Sequence, residues 1–122
     1  MTQEEKILLL QDLCTRLPYN VKVKHLLDTY PSDLLCIDAE KNVVYVNHYG
    51  SEEKYKIECI RPYLRPMKSM TEEEENQFQD VNLYELPYRV EGLDWLNAHH
   101  FDYRGLIQNG LALEAPEGMY DS

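Results

Sequence analysis

The chain has no run of apolar residues near the roughly 18 that a membrane-spanning helix requires. Its first apolar run, Ile7 to Leu10, covers four residues. The acidic, polar start (Thr2, Gln3, Glu4, Glu5) lacks the basic opening and long apolar stretch of a signal peptide. These absences predict a cytoplasmic protein with no membrane partner. Cysteine is scarce. The three residues Cys14, Cys36 and Cys59 are odd in number and widely spaced, which excludes a disulfide framework and a CxxC metal knuckle. They are expected to be small buried apolar residues. The five glycines are scattered, so the chain holds no glycine-rich phosphate loop and no nucleophile elbow. An enzyme therefore has no positive motif behind it, and no cofactor or metal is expected. Basic charge is also short: 12 Lys and Arg stand against 22 Asp and Glu, a net charge of −10. That balance repels nucleic acid and anionic membranes, so no direct nucleic-acid binding is expected. It leaves open a protein that imitates nucleic acid.

What remains is ordinary globular material. The 122 residues are 43% apolar and 28% charged, and no internal repeat or long linker divides them. A chain of this length can bury roughly two-thirds of its unfolded surface in one core, so residues 1–122 are expected to form a single domain. The charge is uneven. Residues 1–61 carry ten acidic and eight basic side chains, net −2, and residues 62–122 carry twelve and four, net −8.

Local patterns predict four regions. Residues 1–17 read as a helix: Thr2 and Glu5 have capping-box spacing, Ile7, Leu10, Cys14 and Leu17 recur at helical intervals beside Leu13, and Pro18 stops it. Gln11, Asp12 and Arg16 fall on the expected wet side. Residues 20–66 read as a β region with strands at 21–27, 34–38, 43–47 and 55–60, the middle two joined as a hairpin. Residues 61–66 leave it as an extended, proline-bounded exit. Residues 71–110 read as helical, opened by a second capping box from Thr71 to Glu74 and broken at Leu86-Pro87. Asp94 and Asn97 are expected to face outward there. Residues 111–122 read as a tail that frays. The predicted fold is α+β: an N-terminal helix, a small four-stranded antiparallel, SH3-like curved sheet or barrel, then helices.

The densest chemistry lies at Asp94, Trp95, His99, His100, Phe101, Asp102, Tyr103 and Arg104. Two histidines and two aspartates so close together suggest an ion site. Adjacent helical residues point about 100° apart, however, so His99 and His100 do not aim at one ion on a continuing helix. The alternative places His99 against Trp95 and Leu96, with Asp102 capping a turn over residues 103–107. His25 and His48 could join any site only through the fold. Ten tyrosines and one tryptophan suit strands and also protein-contact surfaces. The run Glu72 to Glu75 reads as a solvated helix start, or as part of a stripe of carboxylates with Asp80, Glu85 and Glu91.

Three stretches, residues 13–23, 60–74 and 94–107, carry a resemblance. The last runs Asp94-Trp95-Leu96-Asn97-Ala98-His99-His100-Phe101-Asp102-Tyr103-Arg104-Gly105-Leu106-Ile107. Together they resemble a family of short, uncharacterised proteins encoded by gut Bacteroidales genomes, prophages and phages. The resemblance implies a bacterial or phage cytoplasmic protein in an accessory role. It transfers no catalytic residue and does not extend to residues 76–90. Function is thus expected to be non-enzymatic protein interaction, through an aromatic surface near Trp95, Phe101 and Tyr103. The alternatives are an acidic nucleic-acid mimic that blocks a defence or nucleic-acid enzyme, and a small metal-dependent hydrolase using His99, His100 and Asp102.

Overall fold

A computed structural model describes residues 1–120. Helix α1 spans Gln3–Arg16. Its capping box forms as the spacing predicts: the Glu5 N–H donates to Thr2 Oγ1 and the Thr2 N–H to Glu5 Oε1. The chain leaves α1 through a 3-10 turn, Leu17–Tyr19, and a left-handed Asn20. Strands β1 (Lys22–His25), β2 (Ser32–Asp38), β3 (Val43–His48), β4 (Ser51–Lys56) and β5 (Ile60–Pro66) follow. Helices α2 (Glu72–Asn82) and α3 (Val90–Ala98) come next, then the short strands β6 (Phe101–Asp102) and β7 (Leu113–Glu114). The second capping box also forms, with Thr71 and Glu74 bonding reciprocally.

The α+β class and the leading helix agree with the sequence. The small four-stranded antiparallel, SH3-like curved sheet or barrel does not. The sheet is open and mixed, in the order β4-β3-β2-β1-β5-β6, with β7 also on β5. Strands β4 to β1 and β5 pair antiparallel, while β5 takes β6 and β7 in parallel. Two local features hid this. β4 is exposed at nearly every position and highly charged, so it has no apolar alternation to read; a charged edge strand resists pairing with another chain. β5 carries Pro62 and Pro66, which argue against a central strand because proline donates no ladder bond. It nevertheless places Ile60, Pro62, Tyr63 and Leu64 inside. The alternation at residues 55–60 is split by a 3-10 turn, Ile57–Cys59, that carries the chain from β4 to β5. The β3–β4 hairpin turns on Tyr49 and Gly50, both at positive φ (53° and 82°), the pattern of a two-residue turn that matches strand twist.

Two apolar clusters hold the layers together. α1 lays Leu9 and Leu13 on the sheet against Val21, Val23, Leu34, Val44 and Leu64, and Leu106 and Leu111 close that cluster from the tail side. Phe78, Leu96 and Phe101 form the second, with Trp95 and Tyr103 packed against it. The helical reading of residues 71–110 therefore stops at Ala98, because residues 101–102 extend the sheet. The tail is tied down as far as Tyr120, whose hydroxyl donates to the Tyr63 carbonyl at 2.7 Å. Asp121 and Ser122 lie outside the described residues.

Three burial expectations change. The inner face of α1 is Leu9, Asp12, Leu13 and Arg16, whereas Ile7 and Cys14 are exposed. Leucines at three successive positions, 8 to 10, spread apolar character around the helix, so spacing alone selects the wrong stripe. Cys36 is also exposed and Cys59 only partly buried. Asn97 is buried rather than outward.

Gly92 fixes the approach of α2 to α3. A Cβ there would collide with the side-chain oxygen of buried Asn82. Asn82 cannot simply swing away, because it donates to the Glu85 carbonyl and accepts from the Arg89 N–H at 2.9 and 2.8 Å. Gly92→Ala is expected to destabilise the chain by about 1–3 kcal/mol despite the helix-favouring residue. A lowered urea midpoint with an unchanged m-value would register it.

Candidate functional site

The segment at residues 94–104 is held by its backbone before its side chains matter. His99 caps α3, and His100 turns the chain at φ 65° so that Phe101 and Asp102 can join β5 opposite Arg65 and Pro66. The Asp102 carboxylate accepts the N–H groups of Leu106 and Ile107, each at 2.9 Å. It thereby holds the turn after β6. The reversal at His100 sends the two imidazoles to different places. His99 stacks on Trp95, with ring centroids 4.1 Å apart, and His100 on Tyr120 at 3.7 Å. Asp94 is exposed and Phe101 is wholly buried beneath the Arg65 guanidinium. Trp95 and Tyr103 are half-buried in the second cluster. Among the described residues no three His, Cys, Asp or Glu side chains group as metal ligands. Of the expected contact surface, Phe101 is buried in the core, while Trp95 and Tyr103 keep part of their surface open.

Beneath this segment lies a polar network that the sequence reading put in solvent. Asp12 and the whole of Arg16 are fully buried. Arg16 Nε donates to Asp12 Oδ2 at 2.8 Å, and Arg104 Nη1 to Asp12 Oδ1 at 2.7 Å. Arg16 Nη2 donates to the Phe101 carbonyl at 2.7 Å. Tyr103 stands between the two guanidiniums and donates its hydroxyl to Asn97 Oδ1 at 3.0 Å. One carboxylate therefore joins α1 to the chain after β6. The i, i+4 Asp–Arg spacing was the available signal, but most such pairs sit on helix surfaces.

The same region floors a cleft of about 960 Å³, lined by Lys22, Arg65, Glu74, His99, His100 and Tyr120 among others. Arg65 and Glu74 form a two-pronged pair, both bonds 2.7 Å. That hydrogen bonding, opposed by burial and helped by the Thr71 N–H, holds the Glu74 carboxyl down at about 2. Burial, aided by Arg16, His99, Arg65 and Lys22, holds the His100 imidazole down at about 4. Burial also lowers His99 and raises Tyr120. Nδ1 of His100 and Nη1 of Arg16 are buried without a hydrogen-bond partner among the described residues. No nucleophile paired with a base is built from the lining residues.

Two further features come from the fold. Ser32 Oγ lies 3.0 Å from His48 Nδ1, and His48 Nε2 lies 3.1 Å from Asp28 Oδ2. No sequence spacing announces this trio, since β2–β3 pairing brings positions 32 and 48 together. At the elbow between α2 and α3, Leu83, Tyr84, Leu86 and Val90 are exposed. The glutamate run is divided: Glu72, Glu73 and Glu75 face solvent while Glu74 turns to Arg65. No helix among the described residues is long and apolar enough to cross a membrane. No protein-family model, curated protein or solved structure matches the chain.

Two predictions follow from the network and the cleft. Asp12→Asn leaves two guanidiniums facing a neutral amide, one of them fully buried. It should cost roughly 3–5 kcal/mol in chemical denaturation. For acid stability the signs are fixed by the lowered values. An unfolded His takes a proton near 6.5 that His100 refuses until about 4, so stability falls as pH drops through that window. Glu74 adds stability that is complete above 4.5 and lost as pH falls towards about 2. Melting temperature against pH should show both losses. Glu74→Gln should remove the lower one, and His100→Asn, which tolerates the left-handed backbone, should shrink the upper one.

Proposed function

We propose that this protein is an accessory module, of the phage or mobile-element type its sequence resembles, that binds a partner protein through the α2–α3 elbow. One observation carries the reading. Leu83, Tyr84, Leu86 and Val90 are 56, 80, 83 and 71% exposed, four apolar side chains within eight residues. Adjacent exposed apolar residues of this kind mark contact surfaces, and tyrosine is a favoured hot-spot residue. The backbone supports the same view. Leu83 and Tyr84 both hold left-handed φ values (54° and 59°), a conformation costing roughly 1–2 kcal/mol for such residues. The two Asn82 bonds brace the loop, so a partner would meet a surface already shaped. Asp80, Glu85 and Glu91 flank it, with Arg89 alone of opposite sign and paired to both glutamates. The complementary partner presents an apolar hollow ringed by lysine or arginine.

The test is a cross-linked capture of the tagged chain from its native host, followed by titration of the purified partner. Tyr84→Ser and Leu86→Ser should each weaken binding about thirty-fold or more, a hot-spot loss of ≥ 2 kcal/mol. Neither should lower the melting temperature, since both side chains lie open to solvent. Unchanged affinity in both variants overturns the elbow. If that binding also weakens steeply with salt, the exposed carboxylates of α2 become the contact and the nucleic-acid mimic takes its place.

A further inference from the structure

We propose that Asp28, His48 and Ser32 form an activated-serine relay that reacts with acyl or phosphonyl esters bearing an apolar or aromatic group. The trio is assembled by the β1–β2 loop, the first residue of β2 and the last residue of β3. It shares no residue with the elbow or with the cleft.

The argument begins with proton positions. A carboxylate only accepts, so a hydrogen bond to Asp28 needs the imidazole hydrogen on the nitrogen facing it. Nε2 lies 3.1 Å from Asp28 Oδ2, where the charge of the carboxylate favours the hydrogen on that nitrogen. Nδ1 then keeps its lone pair, aimed at the Ser32 hydroxyl 3.0 Å away. Each group then has the role found in a nucleophilic triad: a carboxylate that fixes the tautomer, an imidazole base, and a hydroxyl donating to it. The two ring nitrogens are exchanged relative to the usual arrangement, but the roles depend on geometry and not on nitrogen names.

The surroundings favour reaction over simple pinning. Ser32 is buried at 7% exposure, so its bond to His48 is shielded from competing water. His48 and Asp28 keep 20% and 25% of their side chains open to solvent. Beside them Tyr30 and Tyr49 stand edge to face, centroids 5.9 Å apart, with Tyr49 against His48 at 4.4 Å. Both tyrosines are exposed. They make an aromatic ledge on which an apolar acyl chain or aryl leaving group can lie.

The chemistry balances with water as co-reactant. Ser32 Oγ forms a bond to the acyl carbon and its proton passes to His48 Nδ1. The carbon–oxygen bond to the leaving alcohol breaks, and that alcohol takes the proton from His48. Water then attacks the acyl group, gives a proton to His48, and Ser32 leaves with that proton restored. With a fluorophosphonate the first half stops at a stable adduct: the oxygen–phosphorus bond forms, phosphorus–fluorine breaks, and fluoride departs.

The full chain is therefore treated with an alkyl fluorophosphonate carrying a fluorophore, and the adduct is located by mass spectrometry. The expected result is one label on Ser32, absent in Ser32→Ala and after heat denaturation. His48→Gln retains hydrogen bonding without an imidazole base, and its labelling rate should fall at least about 100-fold, the lower range for a general base. Asp28→Asn should slow it as well. Circular dichroism confirms that each variant is folded. A folded native chain that labels no faster than Ser32→Ala overturns the proposal. So does a folded His48→Gln that labels at the native rate, because the serine would then owe nothing to the imidazole.

Discussion

The Asp12 carboxylate is the point on which the arrangement of the two cores depends. It accepts from Arg16 in its own helix and from Arg104 across the fold, and Arg16 reaches on to the Phe101 carbonyl. A single charge among two guanidiniums is stable in a wholly buried place only when its lone pairs are filled. That requirement ties three separated parts of the chain together: α1, the strand at residues 101–102 and the turn that follows. The first core packs under α1 and the second around Phe101, so the network is the seam between them.

The fate of the histidine pair follows from the same seam. Arg16 draws the carbonyl of Phe101 inward, and β6 must then align with β5. His100 adopts a left-handed backbone to allow this, and the neighbouring imidazoles part company. Asp102 spends both oxygens on backbone N–H groups. The side chains that look most reactive in one dimension are occupied in holding the chain. At the cleft, burial holds the His100 imidazole down and the Arg65 pair holds the Glu74 carboxyl down.

The features with free chemistry lie elsewhere, at the rims. The elbow presents apolar side chains that nothing among the described residues covers, and the outer end of the sheet brings serine, imidazole and carboxylate close together. Both arise where strained backbone turns are braced by side-chain hydrogen bonds. Asn82 braces the left-handed pair at 83–84. His48 links the β1–β2 loop to the strand beside the left-handed Tyr49. Strain held in place by its surroundings commonly accompanies functional positions.

Local rules were sufficient for what depends on a few neighbouring residues. Both capping boxes, the stop at Pro18, the β2–β3 hairpin, the acidic helical half and the α+β class can be read from Thr2, Glu5, Pro18, Thr71, Glu74 and the alternating valines. Asp102 as the holder of a turn was legible too, since an aspartate can accept from N–H groups a few residues ahead. Tertiary structure alone decided the rest. The inner face of α1 turned on Asp12 finding Arg104, 92 positions away. β5 survived its prolines because both of its edges found strands. Ser32 met His48 only through sheet register. In each case the deciding free energy is the desolvation of a polar group, and whether that cost is offset depends on a partner whose place no local pattern records.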